Sequence, residues 1–143
     1  MDLFTIGYEA ATLPDVVARL QSAGVQQLID VRAIAASRRP GFSKTVLSAT
    51  LNEAGIDYLH LRALGTPADG RAAARAGKTA EMRRIFAAHL GEPAAQLALL
   101  HAADAVAARP SALLCYERDA AVCHRAVLAG LLAERLGCAI HDL

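Results

Sequence analysis

Between Leu113 and Arg125 the chain reads Leu113-Leu114-Cys115-Tyr116-Glu117-Arg118-Asp119-Ala120-Ala121-Val122-Cys123-His124-Arg125. Thiol, carboxylate, imidazole and guanidinium groups crowd into that one stretch. A short apolar run ends in a thiol and a carboxylate, a polar turn follows, and Cys123-His124-Arg125 opens an amphipathic pattern. At a strand-to-helix junction the free backbone N–H groups of the helix start attract anions and depress thiol pKa values. The cluster therefore reads as a site. The plainer alternative makes Cys115 and Cys123 small core residues and Arg125 a solvated helix charge.

Several chemistries are open to these side chains. Cys123, beside His124 and Arg125, has the surroundings of an activated nucleophile. The arginine that closes a cysteine-phosphatase loop is missing, however, because Ala121 and Ala129 hold the corresponding positions after Cys115 and Cys123. No glycine-rich segment follows Cys115 to wrap a persulfide. Cys115, Cys123 and His124, with His60 from another strand, are soft or borderline metal ligands. They lack the paired Cys-x-x-Cys spacing, and the sequence alone assigns no metal. Glu9, Asp30 and Glu117 offer acid, base or nucleophilic capacity, with Tyr8 beside the first of them. Arg32, Arg38 and Arg125, with Ser37, form a set able to hold a phosphate, sulfate or carboxylate through forked hydrogen bonds. Asp30 also has an internal use, pairing with Arg32 or capping the following loop. Arg71, Arg75, Lys78, Arg83 and Arg84 form a basic segment that reads as a solvated face, or as a lid bringing positive charge over an anion.

Those residues need elements to position them. Residues 3–8 and 27–32 read as strands, 56–61 as a third, 112–116 as a fourth and 139–143 as a fifth. Thr12, Pro14 and Asp15 make a helix start, with a hydroxyl cap, a proline in the first turn and a carboxylate behind it. Leu13, Val16, Val17 and Leu20 share a face, and Gly24 stands where the helix should stop. Further helices are predicted over residues 44–54, around 82–90, from Pro93 to about residue 108, and over 122–136. Residues 64–78, punctuated by Gly65, Pro67, Gly70 and Gly77, read as an irregular loop with at most one short turn.

Strands alternating with helices predict a single α/β domain over residues 1–143. Its architecture should be three-layered, with a mainly parallel five-stranded sheet and helices on both faces. In such sheets ligands sit beyond the carboxyl ends of the strands. Tyr8 and Glu9, Asp30 and Arg32, His60, and Glu117 all fall at those ends.

Bulk properties narrow the function classes. The formal net charge of +1 argues against a strongly basic nucleic-acid binder, so any polyanion contact rests on a local patch. Three cysteines, an odd number, and the absence of a signal-peptide pattern before Leu3-Phe4-Thr5-Ile6 predict free thiols in a reducing cytoplasm. No apolar run is long enough to span a bilayer, so a membrane is not among the expected partners. No pattern specifies a cofactor or an oligomeric state.

The ordered set Thr5-Ile6-Gly7-Tyr8, Asp30-Val31-Arg32, Ser37-Arg38, Gly55-Ile56-Asp57-Tyr58, Leu64-Gly65, Cys115-Tyr116-Glu117 and Cys123-His124-Arg125 resembles the bacterial domain-of-unknown-function family 488 across nearly the whole chain. Where that family usually places prolines after its Asp-Val-Arg, this chain has Ala33-Ile34-Ala35. The resemblance implies a fold and a site location without a reaction. Its matched positions mark Tyr8, Asp30, Arg32, Ser37, Arg38, Glu117, Cys123, His124 and Arg125. The functional expectation is a cytoplasmic hydrolase or transferase acting on a small phosphorylated or nucleotide-like ligand. Tyr8, Asp30, Glu117, Cys123 and His124 would be its catalytic candidates, and Arg32, Ser37, Arg38 and Arg125 would hold the anion. The alternative, from a different class, is a non-catalytic module that binds a nucleotide or nucleic acid through the same arginines.

Overall fold

Strand-forming runs rich in Leu, Ile and Val pair side by side in the computed structural model, which describes residues 1–143. The strands are β1 (Asp2–Gly7), β2 (Gln27–Asp30), β3 (Asp57–His60), β4 (Ser111–Cys115) and β5 (Ala139–Asp142). The helices are α1 (Leu13–Ser22), α2 (Lys44–Glu53), α3 (Ala68–Arg75), α4 (Thr79–Leu90), α5 (Pro93–Ala108) and α6 (His124–Leu136). At the start of α1 the Thr12 hydroxyl accepts a hydrogen bond from the Asp15 N–H at 3.3 Å, as the capping pattern requires.

The sheet is parallel throughout, in the order β3-β2-β4-β1-β5. From β1 to β3 the chain steps one way along the sheet, and from β3 to β5 it comes back. Right-handed crossovers therefore send α1 and α2 to one face and α3 to α6 to the other. Side-chain alternation along each strand feeds both layers. Ile6, Leu28 and Leu114 pack with Val16, Leu20, Leu47 and Leu51 on the first face. Leu3, Ile29 and Leu113 pack with Met82, Phe86, Leu128 and Leu132 on the second. Each such side chain, taken fully out of water, contributes about 1.5–3 kcal/mol. Every residue of β2 and β4 is buried, whereas every residue of the edge strand β5 is exposed. No helix is long and apolar enough to cross a membrane.

One expected loop is a helix. Residues 64–78 contain α3, preceded by a 3₁₀ turn over Arg62–Leu64. The glycines and proline mark its limits: Pro67 stands at the N-cap and Gly77, at φ +74°, just beyond the end. Between them Arg71-Ala72-Ala73-Ala74-Arg75 is made of strong helix formers. Gly70 and Ala73 form the buried face of α3.

The topology also opens a crevice. After β1 and β2 the chain leaves toward one face; after β4, which lies between them, it leaves toward the other. The connections part at the carboxyl end of β4, the place where open parallel sheets take ligands.

Two glycines let the loops there close. A Cβ on Gly7 would stand 1.8 Å from the Glu117 carbonyl oxygen, and one on Gly65 would stand 2.2 Å from the Ala33 nitrogen. Both obstacles are backbone and cannot rotate away. Gly130, exposed on α6, meets nothing within 4 Å. We expect Gly7→Ala and Gly65→Ala each to cost roughly 1–3 kcal/mol or more in denaturant unfolding. Gly130→Ala should stabilise by about 0.5–1 kcal/mol through helix propensity. Equal responses at the three positions would refute the close approach.

Candidate functional site

Asp30 ends β2 with its side chain fully buried. Its Oδ1 accepts from the Arg32 backbone N–H at 3.1 Å and from Arg32 Nε at 2.9 Å. Its Oδ2 accepts from Arg32 Nη2 at 2.7 Å and from the Tyr58 hydroxyl at 2.5 Å. This forked pairing saturates the carboxylate. Arg32 Nη1 donates in turn to the Phe42 carbonyl at 2.7 Å and to the Tyr8 hydroxyl at 3.2 Å. Burial alone would pull the Arg32 pKa down, but the hydrogen bonds and charge of Asp30 and the contact with Tyr8 hold it above its ordinary value. Burial, then the bond to Asp30 and its charge, push the Tyr58 phenol up. The Tyr8 ring is stacked on Phe42 at 4.4 Å and meets Tyr116 edge-on at 5.3 Å.

Histidines hold the next carbonyls. His124 Nε2 lies 2.8 Å from the Val31 oxygen, and His60 Nε2 lies 2.8 Å from the Arg32 oxygen. His124 is buried against Phe86, whose ring meets it edge-on at 5.1 Å. Burial lowers its pKa to about 4, assisted by the charge of Arg125 and opposed by the Val31 hydrogen bond and by Asp30.

Arg125 is fully buried at the start of α6. Its Nη1 donates to the Glu117 carbonyl and approaches Cys115 Sγ at 3.3 Å, and its Nη2 donates to the Arg118 carbonyl at 3.1 Å. Burial lowers its pKa, against the charges of Asp142, Glu117 and Asp119. The guanidinium thus clamps the turn after β4. From the other side, Glu9 N–H donates to the Tyr116 carbonyl at 2.8 Å, and Glu9 Oε1 accepts from the Arg118 N–H at 3.1 Å. The folded turn lays Cys123, the N-cap of α6, over Cys115, and the two form a disulfide. The expectation of three free thiols is corrected: only Cys138 is free. The odd cysteine count and the expected reducing compartment argued against a pairing, and the turn that creates it depends on Gly7, Glu9 and Arg125. With its sulfur bonded, Cys123 is no nucleophile in this state.

These groups surround a cavity of about 270 Å³ at the carboxyl ends of β1, β2 and β4. Tyr8, Arg32, Cys115, Glu117 and His124 line it, along with Tyr116, Thr66, Met82, Arg71 and Arg75. Asp30 and Arg125 lie behind this wall and support it. Ser37 and Arg38 are not brought in. Ser37 Oγ accepts from the Arg39 N–H at 3.1 Å, its own N–H donates to Ser43 Oγ at 3.0 Å, and Arg38 is exposed. Arg39 is the arginine of that loop with a structural bond, from Nη2 to the Ala11 carbonyl at 2.5 Å. Sequence reasoning left Tyr58 and Tyr116 without a role. Alternation held the signal for Tyr58: it lies two residues before His60, which pairs with Asp30 in register, so it shares a sheet face with that carboxylate.

Removing one partner of a buried, hydrogen-bonded ion pair strands the other charge. We expect Asp30→Ala to lower the unfolding free energy by about 3–5 kcal/mol in chemical denaturation; a loss below about 1 kcal/mol would mean the pair is dispensable. An unfolded imidazole protonates near 6.5, and folded His124 about 4. The unfolded chain therefore takes up that proton first. Stability from this residue is intact at neutral pH and falls as pH drops from about 6.5 to about 4, by on the order of 3 kcal/mol in all. Its NMR titration midpoint should lie near the lower value, and a midpoint at 6.5 would remove the argument.

No curated protein and no solved structure matches this chain. The family model described as "Domain of unknown function DUF488" matches residues 12–132 of the 143. That span runs from the Thr12 cap into α6 and contains Asp30, Arg32, Cys115, Glu117, Cys123, His124 and Arg125. By this match over most of its length, the chain belongs to the DUF488 family.

Proposed function

We propose that the chain is an enzyme, a hydrolase or transferase, acting on a small phosphorylated or nucleotide-like ligand. The composition of the cavity carries this reading. Aromatic rings of Tyr8 and Tyr116 stand beside the Glu117 carboxylate, with Arg71 and Arg75 of α3 along the same lining. Tyr116 is 45 % exposed and offers a surface for a planar ring. A volume of about 270 Å³, just under the usual range of roughly 300–1,000 Å³, suits a small ligand.

The anion-holding role falls to α3. Arg32 spends its bonds on Asp30, the Tyr8 hydroxyl and the Phe42 carbonyl, and Arg125 directs its Nη groups to the Glu117 and Arg118 carbonyls while its Nε stays buried without a partner, so in this reading they are positioning residues. Arg71 Nη1 is bonded to the Thr66 carbonyl at 2.9 Å, which orients its guanidinium, and Arg75 is exposed. Glu117 is the acid/base or nucleophilic group, because it is the carboxylate of the lining. Its backbone is fixed by Arg125, so its carboxylate is presented from a rigid turn.

The test is a thermal-shift screen against nucleoside monophosphates and sugar phosphates, followed by turnover assays on the binders. Arg75→Ala should weaken binding of a phosphorylated hit by about tenfold, the loss of one charge-assisted contact. Glu117→Gln should keep the affinity and lose most of the turnover. Binding without turnover in the wild-type protein would favour the non-catalytic module, and no binder at all would overturn the reading.

A further inference from the structure

We infer that Cys115, Cys123 and His124, once the disulfide is reduced, bind a thiophilic divalent cation, zinc foremost. Their ligating atoms all lie within 4.8 Å of one another, and all three residues are buried. Tetrahedral zinc, with bonds of about 2.3 Å to sulfur and about 2.0 Å to nitrogen, sets its ligand atoms roughly 3.5–3.8 Å apart. Cys123 Sγ and His124 Nδ1 are 3.6 Å apart. These neighbours converge because Cys123 is extended, at φ −114° and ψ 145°, immediately before the first helical residue.

The histidine is already oriented as a ligand. A carbonyl oxygen accepts only, so the Val31 contact at 2.8 Å requires the proton on Nε2. That leaves the Nδ1 lone pair toward the sulfurs, the arrangement in which a backbone carbonyl fixes the tautomer of a metal-bound imidazole. Arg125 Nη1, 3.3 Å from Cys115 Sγ, supplies a donor and a compensating charge to a thiolate there. Cys115, His124 and Glu117 line the same cavity, so two of the three ligands border open space, while Cys123 is buried behind them. Three protein ligands and one open position is the pattern of a catalytic rather than a structural zinc.

Reduction by a dithiol breaks the S–S bond. Two electrons and two protons pass to Cys115 and Cys123, and the dithiol becomes a disulfide. Cation binding then releases both thiol protons, leaving a neutral Cys₂ metal unit with the imidazole as third ligand. Oxidation abolishes the site, which makes it redox-gated. The inference stands apart from the phosphorylated-ligand reading, because it concerns the metal alone.

The experiment titrates Co²⁺, then Zn²⁺, into the full chain before and after dithiol reduction and removal of the reductant. The reduced protein should bind one equivalent, with thiolate-to-cobalt charge-transfer and tetrahedral d–d absorption that Zn²⁺ displaces. The oxidised protein should show neither. Cys123→Ser and His124→Ala should lose the bands, whereas Cys138→Ser should keep them. Should a variant misfold, the oxidised and reduced wild-type proteins still decide the matter. Absence of the bands in reduced, folded protein would overturn the site, as would equal bands in the oxidised form or in folded Cys123→Ser.

Discussion

A carboxylate and a guanidinium taken together out of water at the end of a central strand set the terms for the whole upper surface of this molecule. Desolvating each ion costs several kcal/mol, and attraction between them offsets that only when the remaining donors and acceptors are also met. Here they are. Asp30 takes four donors from Arg32 and Tyr58, and Arg32 Nη1 donates to Phe42 and Tyr8. The network therefore ties β1, β2, β3 and the loop before α2 to one another. Because β2 lies between β3 and β4, a shift in this pair would reach the cavity from two sides.

Arg125 does a parallel task for the turn after β4. Its charge is also buried, but it is met mostly by backbone carbonyls instead of a carboxylate. Such an arrangement gives up Coulombic attraction for geometric control: the fork can bind Glu117 and Arg118 together only if the turn has one conformation. Gly7 permits that conformation by leaving room for the Glu117 carbonyl. The Cys115–Cys123 disulfide and the presentation of Glu117 are both consequences. Arg32 and Arg125 serve as internal scaffolding in this fold, and Arg71 and Arg75 of the basic segment join Arg32 on the cavity wall.

The cavity wall joins apolar and chemically active surface in a way the topology makes possible. Chain direction reverses after β3, so the connections after β1 and β2 and the one after β4 leave toward opposite faces. The gap between them is bounded by side chains from three strand ends. Helix α3 completes the wall from the long β3–β4 crossover, where an extra helix can be inserted without disturbing strand pairing.

Local rules were enough for the elements. Thr12, Pro14 and Asp15 specify a helix start through hydrogen bonds reaching no further than one turn, and alternating strands and helices specify a parallel sheet because crossovers have one hand. Residue types at strand ends pointed to Tyr8, Asp30 and Glu117, and the Cys-His-Arg run at a helix start pointed to His124. Helix α3 escaped because glycine and proline mark helix limits as readily as loops, and only packing of Gly70 and Ala73 distinguishes the two. Whether Arg32, Arg38, Arg71 or Arg125 faces the cavity could not be read from spacing, since a guanidinium's partner is set by distant backbone: Phe42 for Arg32, and Glu117 and Arg118 for Arg125. The cysteine pairing likewise depends on a turn held by residues from β1 and α6. What the sequence determined by itself was the five strands and the helices marked by caps and periodicity within a few residues; tertiary structure decided which buried charges are satisfied internally, because that depends on carbonyls and hydroxyls brought in from other elements.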